Sequence, residues 1–386
     1  VDLPAMERGI LAFWREHDTF ARTLKATAGR PQWNFYEGPP TANGMPGTHH
    51  VEARVFKDVF PRYRTMRGQH VPRKAGWDCH GLPVEIAVEK ELGFSGKPDI
   101  EAYGVAEFNA RCRESVERHV DAFEAMTERM GYWVDTERPY RTMDPSYVQS
   151  VWWSLKQIFD AGLLVEDHRV APYCPRCGTS LSDHELAQGY ETVVDPSVFV
   201  RLPLTSGPLA GRASLLVWTT TPWTLVSNTA VAAPPEVEYV AATDGTETVV
   251  VAEPLLASAL GEGWTVVERF AGTEMERWTY RRPFDLVEIP DAHYVVVDDY
   301  VTTEDGTGLV HAAPAFGADD LRICRRYGLP VVNPIRPDGS FDEDVPMVGG
   351  QFFKHAAAAL VRDLDARGVL FRHTGYEHAY PHYWSC

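Results

Sequence analysis

The sequence predicts an α/β fold interrupted by a β-rich insertion, and three observations predict it. An apolar segment at residues 33–37 runs into the glycine- and proline-rich stretch Gly38-Pro39-Pro40-Thr41-Ala42-Asn43-Gly44, and a helical pattern follows from about His50. Strand, glycine loop and helix in that order open a nucleotide-binding α/β unit. From about Ser197 to Val310 the pattern changes to short Val- and Thr-rich runs separated by Gly, Pro and Asp, as in a compact, mostly β domain. Two helical patterns, 318–327 and 355–367, and an aromatic, His-rich stretch after about Phe371 then lead the chain back out.

Each element has a local reason. Residues 6–25 place Met6, Ile10, Leu11, Phe13, Trp14 and Phe20 at helical spacing among charges, so one amphipathic helix is expected. Pro61 falls inside the helix that begins near His50 and should kink or divide it, because proline lacks an N–H and its ring collides with the preceding turn. Residues 100–131 are helical and charged, and 145–163 form a further helix carrying Trp152, Trp153, Leu155 and Ile158. Strands are expected at 198–204, 214–220, 237–242, 248–252 and 294–297.

Composition narrows the class. At 386 residues, two or three domains are expected. Hydrophobic residues at 44% and charged residues at 24% are ordinary for a soluble globular chain. No apolar run is long enough to span a bilayer, and the first ten residues do not read as a secretory signal. Position 1 is Val, so a missing or processed N-terminus is expected. The net charge of −17 argues against whole-surface attraction to nucleic acid, although a local basic track for one end of a nucleic acid is compatible with it. Six cysteines, two of them in one CxxC, fit a reducing cytosol better than a disulfide framework.

Four stretches carry chemistry. Gly47-Thr48-His49-His50 sits at a helix start, where unpaired N–H groups and the positive dipole end suit phosphate. Its plain alternative is a helix start with surface histidines. Gly76-Trp77-Asp78-Cys79-His80-Gly81-Leu82-Pro83-Val84-Glu85 offers a fixed acid beside apolar walls; Asp78 could equally cap its own loop, and Trp77 reads best as core packing. Trp218-Thr219-Thr220-Thr221-Pro222-Trp223-Thr224 puts several hydroxyls at a strand end, a pattern β-propensity alone would also produce. Pro222 should push Thr221 toward extended geometry, and Asn228 follows closely. Gly306-Thr307-Gly308-Leu309-Val310-His311-Ala312-Ala313-Pro314-Ala315-Phe316-Gly317-Ala318-Asp319-Asp320 ends a strand and opens a helix, with Asp319 reading as a solvent-facing acid. Separately, Cys174-Pro-Arg-Cys177 has zinc-knuckle spacing, with a redox CxxC as the rival reading.

On these motifs the chain resembles the class I aminoacyl-tRNA synthetases, and within them the isoleucyl branch, over essentially all of its length. The valyl and leucyl relatives differ in the 38–44 and 76–85 loops and at Thr219 to Thr221. The resemblance implies a Rossmann-type parallel-sheet catalytic domain, first half only, interrupted by a β-rich editing domain. The expected divisions are 1–172 for the catalytic half, 173–194 for a knuckle-like connector, 195–372 for the editing domain and 373–386 for the return. It also implies that the chain is part of a longer protein and that the Lys-Met-Ser-Lys-Ser loop, absent here, lies elsewhere. Activation of L-isoleucine by this chain alone is therefore expected to be poor.

Residue roles follow from the same resemblance. Gly47, Thr48, His49 and His50 stand at the ATP-binding signature, usually His-x-Gly-His. Here its first and third residues are exchanged, as in a branch of the isoleucyl enzymes, and His49 is expected to crowd an adenine ring unless it turns away. Pro39 and Asp78 would hold the amino acid. Asp320 would anchor the ammonium group of a mischarged valine, Thr219, Thr220, Thr221 and Asn228 would lie near the ester and terminal adenosine, and His311 would wall the pocket. Zn2+, if bound, would use Cys174 and Cys177 with Cys386 and His382, although Tyr383 replaces one expected ligand. The implied partners are ATP with Mg2+, L-isoleucine and tRNA(Ile), in the cytoplasm and without a membrane. A non-catalytic tRNA-binding fragment is the alternative of another class.

Overall fold

The computed structural model describes residues 1–187 and 189–382. The chain divides into two units, Val1–Glu166 and a second that begins at Asp167.

The first unit starts with α1 (Leu3–Glu16) and α2 (Thr19–Ala26), not with one continuous helix. The break falls at Asp18, whose φ of 48° lies in the left-handed region that Asp tolerates better than most residues. His17 closes α1 by bonding the carbonyl of Phe13 through Nδ1 at 2.9 Å. No strand forms over 33–37. Just before it, Gln32 makes a parallel bridge to His70, and the carbonyls at and just after its end go to side chains instead of a ladder. The Tyr140 hydroxyl donates to Glu37 O at 2.9 Å and Lys57 Nζ to Gly38 O at 2.6 Å. Pro39 and Pro40 have no N–H to offer.

The helix after the loop, α3 (Thr48–Met66), passes through Pro61 undivided. Proline forfeits only the bond its missing N–H would have made one turn back, and the flanking turns carry the helix on. β1 (Lys74–Trp77) is followed by α4 (Leu82–Leu92), α5 (Lys97–Tyr103), α6 (Val105–Glu117) and α7 (Val120–Arg129), and then by β2 (Asp135–Arg141), which pairs with β1 in parallel. A parallel neighbour reached by a helical crossover is the elementary α/β arrangement. Gly76 of β1 is small because the Tyr140 ring lies against it; a Cβ there would sit 2.2 Å from Tyr140 Cζ. The core is Ala42, Trp77, Cys79, Val84, Val116 and Phe123. The unit ends with α8 (Pro145–Asp160), on which no residue is buried.

The second unit opens with a hairpin, β3 (Tyr173–Cys174) and β4 (Thr179–Ser180), and the short α9 (Asp183–Leu186). The sheet strands follow in chain order: β5 (Tyr190–Pro203), β6 (Ser214–Thr219), β7 (Ala230–Ala233), β8 (Glu238–Thr243), β9 (Thr248–Ala252), then α10 (Leu256–Leu260), β10 (Thr265–Ala271), β11 (Tyr294–Val297) and β12 (Val310–Ala312). After these come α11 (Ala318–Tyr327), α12 (Phe353–Ala366) and β13 (Leu370–Pro381). Nine strands form one sheet in the order β10-β8-β9-β6-β12-β7-β11, and β5 joins it by pairing with both β6 and β13. β6 is the hinge of this topology. One edge pairs antiparallel with β5; the other is shared by β9 at Ser214–Leu215 and by β12 at Trp218, both parallel.

The insertion is thus β-rich as expected, with two further strands, β7 and β10; β12 is the strand that the Gly306–Asp320 stretch ends, and β13 forms the return. β7 reads Ala-Val-Ala-Ala, a poor strand sequence by propensity, but all four residues are fully buried between β11 and β12. Strand preference there comes from burial and cross-strand neighbours, not from the backbone. The main core gathers Val198, Leu202, Leu215, Val231, Tyr239 and Val250 from one face of the sheet and Leu360 from α12, while the alternate residues Phe199, Leu216, Val240 and Val249 build a separate cluster.

Candidate functional site

Each unit holds one candidate site. In the first, the 38–44 loop is fixed from two sides. The Glu37 carboxylate, with a side chain 6% exposed, is paired with Lys57 Nζ and accepts the Tyr132 hydroxyl at 2.7 Å. Lys57 also holds the Gly38 carbonyl. It stands seven residues after His50, two helical turns on and on the same face. On the other side, Asp78 N donates to Pro40 O at 2.9 Å, His119 N to Ala42 O at 3.1 Å and Asn43 Nδ2 to Pro83 O at 3.3 Å. Pro39 and Asp78 therefore lie on strapped, neighbouring loops. Asp78 Oδ1 accepts from His80 N at 3.3 Å and Thr142 Oγ1 at 3.4 Å, while Oδ2 bonds to no described residue.

His50 caps its own helix. Its Nδ1 accepts the Gly47 N–H at 2.9 Å, and its ring meets Phe123 edge-on at 4.8 Å; Phe123 in turn meets Trp77. Burial, then the charges of His49, Arg54 and Lys57, pushes the His50 pKa down. The ring is neutral at pH 7, and since Nδ1 accepts, the proton sits on Nε2. The His49 ring lies 3.9 Å from the His50 ring and folds back over Gly47, where a Cβ would be 3.0 Å from its Cε1. The exchanged signature has put a glycine where the displaced ring needs room. Thr48 lies between them on the first turn.

Lys57 and Tyr132 were not foreseen from sequence, although the seven-residue spacing from His50 was a usable signal. Lys57→Met would leave the nearly buried Glu37 carboxylate with the tyrosine hydroxyl alone. We expect a loss of about 1–3 kcal/mol, read as a lowered urea midpoint, with part recovered in the double variant that also carries Glu37→Gln.

In the second unit, β6 delivers Thr219 to the sheet end, and the chain turns at Thr221 into a 3-10 helix over Pro222–Ser227. Thr221 has φ −125° and ψ 71°: Pro222 keeps it out of the helical region without extending it fully. Thr219 Oγ1 lies 3.2 Å from Thr221 Oγ1 and accepts Thr221 N–H at 3.1 Å. Thr221 Oγ1 lies 3.0 Å from Thr224 Oγ1, which is 2.8 Å from His311 Nε2. His311, on β12, is brought there because β12 pairs with β6 at Trp218. Its Nδ1 lies 3.4 Å from Asn228 Nδ2, and Asn228 Oδ1 accepts the Tyr280 hydroxyl at 2.9 Å. Burial drives the His311 pKa down to about 4, so the ring is neutral at pH 7.

Asp320 lies in the first turn of α11 and reaches back to Ala313, the residue after the β12 strand that carries His311. Its Oδ2 accepts Ala313 N–H at 2.9 Å and its Oδ1 the Tyr300 hydroxyl at 3.1 Å. Burial pushes its pKa up, against the pull of those two bonds. Gly317, which caps α11, has no room for a side chain: a Cβ would sit 2.7 Å from Asp320 Oδ2. Asp319, by contrast, is an exposed acid beside Arg322 at 3.3 Å. Thr219, Thr221, Asn228 and His311 are thus joined in one network and Asp320 is bonded to the same strand end. Thr220 is half-buried and its side chain bonds to no described residue. Thr224, Tyr280 and Tyr300 were missed as site residues. Thr224 stood in the threonine run; the two tyrosines give no local signal.

The knuckle is less complete. Cys174 is buried on β3 and Cys177 half-buried in the turn to β4. His382 donates its N–H to Gly189 O at 2.7 Å and packs on Tyr380. Tyr383 and Cys386 lie outside the described residues. Among the described residues no group of three or more His, Cys, Asp or Glu is arranged to hold a metal. Two thiols are half of a tetrahedral set, so the described residues do not by themselves fit zinc. Among the described residues, too, no helix is long and apolar enough to cross a membrane.

A parallel pair with helical crossover, a signature-bearing helix start and a β-rich second unit define a class of protein. The chain belongs to the tRNA synthetases of class I (I, L, M and V), whose family profile matches residues 9–356. Among individual proteins, it is 75% identical over 388 aligned residues to an isoleucine–tRNA ligase of Streptomyces coelicolor, covering 100% of this chain and 37% of that protein. It is 50% identical over 387 residues to an isoleucine–tRNA ligase of Thermus thermophilus, covering 100% of this chain and 37% of that protein. The chain thus spans little more than a third of the relatives it matches. A crystal structure of GlLeuRS-CP1 aligns with a TM-score of 0.38 and 16% identity, covering 46% of this chain and 96% of that one, too loosely to carry an argument.

Proposed function

We propose that this chain is the part of an isoleucine–tRNA ligase that opens the ATP- and isoleucine-binding unit and holds a hydrolytic site for valine mischarged on tRNA(Ile). Residues 1–172 and 373–386 would belong to the catalytic domain, 173–194 to a connector and 195–372 to the editing domain. The observation that carries the reading is the joining of Thr219, Thr221, Thr224, Asn228 and His311 into one hydrogen-bonded network, with Asp320 held at the same strand end. The identity to isoleucine–tRNA ligases supports the choice of amino acid.

The need for a second site is energetic. An apolar pocket gains only about 1–3 kcal/mol from one methylene, a magnitude established on isoleucyl enzymes themselves and not obtained from this chain. Valine therefore leaks through the first site. In the second, the Asp320 carboxylate takes the ammonium of the valyl group in a charge-assisted bond. The threonine row faces the ester and orients a water, which adds to the carbonyl carbon; the ribose oxygen leaves and takes a proton. Positioning supplies the acceleration, and no metal enters the step. In the first unit, the α3 N-terminus with His49 and His50 would face the phosphates of ATP, which would bring Mg2+, and Pro39 and Asp78 would face isoleucine.

Two assays on the 386-residue chain test this. It should hydrolyse Val-tRNA(Ile) and spare Ile-tRNA(Ile), and show little isoleucine-dependent ATP–pyrophosphate exchange. Absence of any deacylation with folded protein would leave the tRNA-binding fragment as the better reading.

A further inference from the structure

The Asp320 carboxylate is served by a circuit that leaves α11 and returns to it. Arg322, two residues after Asp320, grips both oxygens of Asp298, at 2.9 and 2.8 Å. Arg326, one turn further on, adds a contact at 3.1 Å. The Asp298 side chain is 6% exposed, and its bonds to Arg322 are the main force holding its pKa down, so it stays charged. Its Oδ1 also accepts the Tyr300 N–H at 3.2 Å, which closes the turn. Val301, next in the chain, is buried in the cluster that holds Ile323 and Cys324 of α11. The turn is thus fixed to the helix on both sides of Tyr300, whose hydroxyl comes back onto Asp320 Oδ1 at 3.1 Å.

The direction of that bond is settled. Burial, then the charge of Asp320, pushes the Tyr300 pKa up, so the phenol keeps its proton at any working pH. An ionised carboxylate can only accept, and a donor to a carboxylate favours its charged form. The Ala313 N–H does this on Oδ2, and Tyr300 does it on Oδ1, so their effects add. The other charged and titratable neighbours give no such help. Asp319, on the same turn, opposes ionisation, as burial does. Cys324, one turn on, is a neutral thiol with its pKa pushed up to about 12 by burial. His311 on β12 is neutral at pH 7, and Arg322 is spent on Asp298 and Asp319.

We propose that Tyr300 is a positioning residue for the valyl anchor: braced to α11 through Asp298, its hydroxyl holds the Oδ1 side of the Asp320 carboxylate and keeps that group in the charged form an ammonium needs. The proposal rests on the reading of Asp320 as the anchor of an editing site. Tyr300 acts through Asp320, so its removal must show in the behaviour of Asp320 itself.

Carbon-13 NMR of aspartate-labelled protein and steady-state deacylation test this together, with the Asp320 signal assigned by its absence from Asp320→Asn. Tyr300→Phe removes one oxygen and should move the Asp320 titration to higher pH. On the acid limb, kcat/KM for Val-tRNA(Ile) should fall about 10- to 100-fold, the scale of a lost hydrogen bond to a charged group. That loss should shrink as pH rises and the carboxyl ionises without help, whereas a merely structural role would lower activity equally at every pH. In the Asp320→Asn background the same change should cost little further, because the charge it serves is gone. An unmoved titration overturns the proposal, and so does a loss that ignores pH or persists in full in the Asp320→Asn background. The titration is read without substrate, so it still decides what Tyr300 does to Asp320 if the deacylation reading itself fails.

Discussion

Asp320→Ala is expected to lower kcat/KM for Val-tRNA(Ile) hydrolysis by about 30- to several-thousand-fold, since removing one member of a desolvated charge pair costs roughly 2–5 kcal/mol. Asp320→Asn separates charge from shape. An amide can still accept the Ala313 N–H and give a proton to the Tyr300 oxygen, so the loop should stay in place while the ammonium loses its counter-charge. The pKa direction adds a second test. Burial raises the Asp320 pKa, so the anchor loses its charge as pH falls through a value above the ordinary carboxylate range of about 3.9. The acid limb of kcat/KM, which reports the free protein, should lie correspondingly high and should disappear in Asp320→Asn.

The same shift fixes the sign for stability. A carboxyl whose folded pKa is raised binds its proton more tightly when folded, so ionising it costs stability above that pKa. Asp320→Asn should thus match or exceed the parent in Tm at pH 7. The difference should fade as pH falls toward the unfolded value. Activity lost with stability kept or gained marks a site residue; activity and stability lost together would make Asp320 a structural acid and remove the anchor from the proposed mechanism.

Much of this arrangement was legible in the sequence, and the unread parts share a cause. Motif residues close together in the chain could be placed on one helix start or one strand end: Gly47 to His50, Thr219 to Thr221, Asp320 on the first turn of α11. Residues that reach the site from far away in sequence could not. Tyr280 meets Asn228 across 52 positions and Tyr300 meets Asp320 across 20. A tyrosine destined for a buried hydrogen bond looks, in sequence, like any tyrosine in a β-rich stretch. The missing strand at 33–37 has a related origin. Its composition is strand-like, but the Glu37 carbonyl at its end is taken by the Tyr140 hydroxyl and that of Gly38, next in the chain, by Lys57, partners that only the fold supplies. β7 failed in the opposite direction, an alanine strand made by total burial.

Gly308→Ala is expected to be among the most damaging single changes in the second unit, although it adds one methyl group and removes no contact. Gly308 belongs to the Gly306-Thr307-Gly308 stretch that precedes His311, and its position in a functional motif invites a ligand-binding explanation. The geometry gives a mechanical one. Its φ of 71° is left-handed, which costs an L-residue roughly 1–2 kcal/mol. A Cβ there would lie 2.4 Å from the Ala252 Cβ, at the end of β9, with the neighbouring Ala252 N–H already bonded to Thr307 O at 2.9 Å. Neither partner is a flexible side-chain end, so the relief must come from the backbone, at about 1–3 kcal/mol for overpacking. Gly308 O also holds the buried Tyr239 hydroxyl. The summed expectation is roughly 2–5 kcal/mol, measured as a lowered denaturation midpoint. Since β12 begins two residues later, any shift at Gly308 is passed to His311. Deacylation should therefore fall well below the unfolding temperature, and Ala252→Gly in the same chain should restore part of the stability by removing the collision while leaving the φ strain.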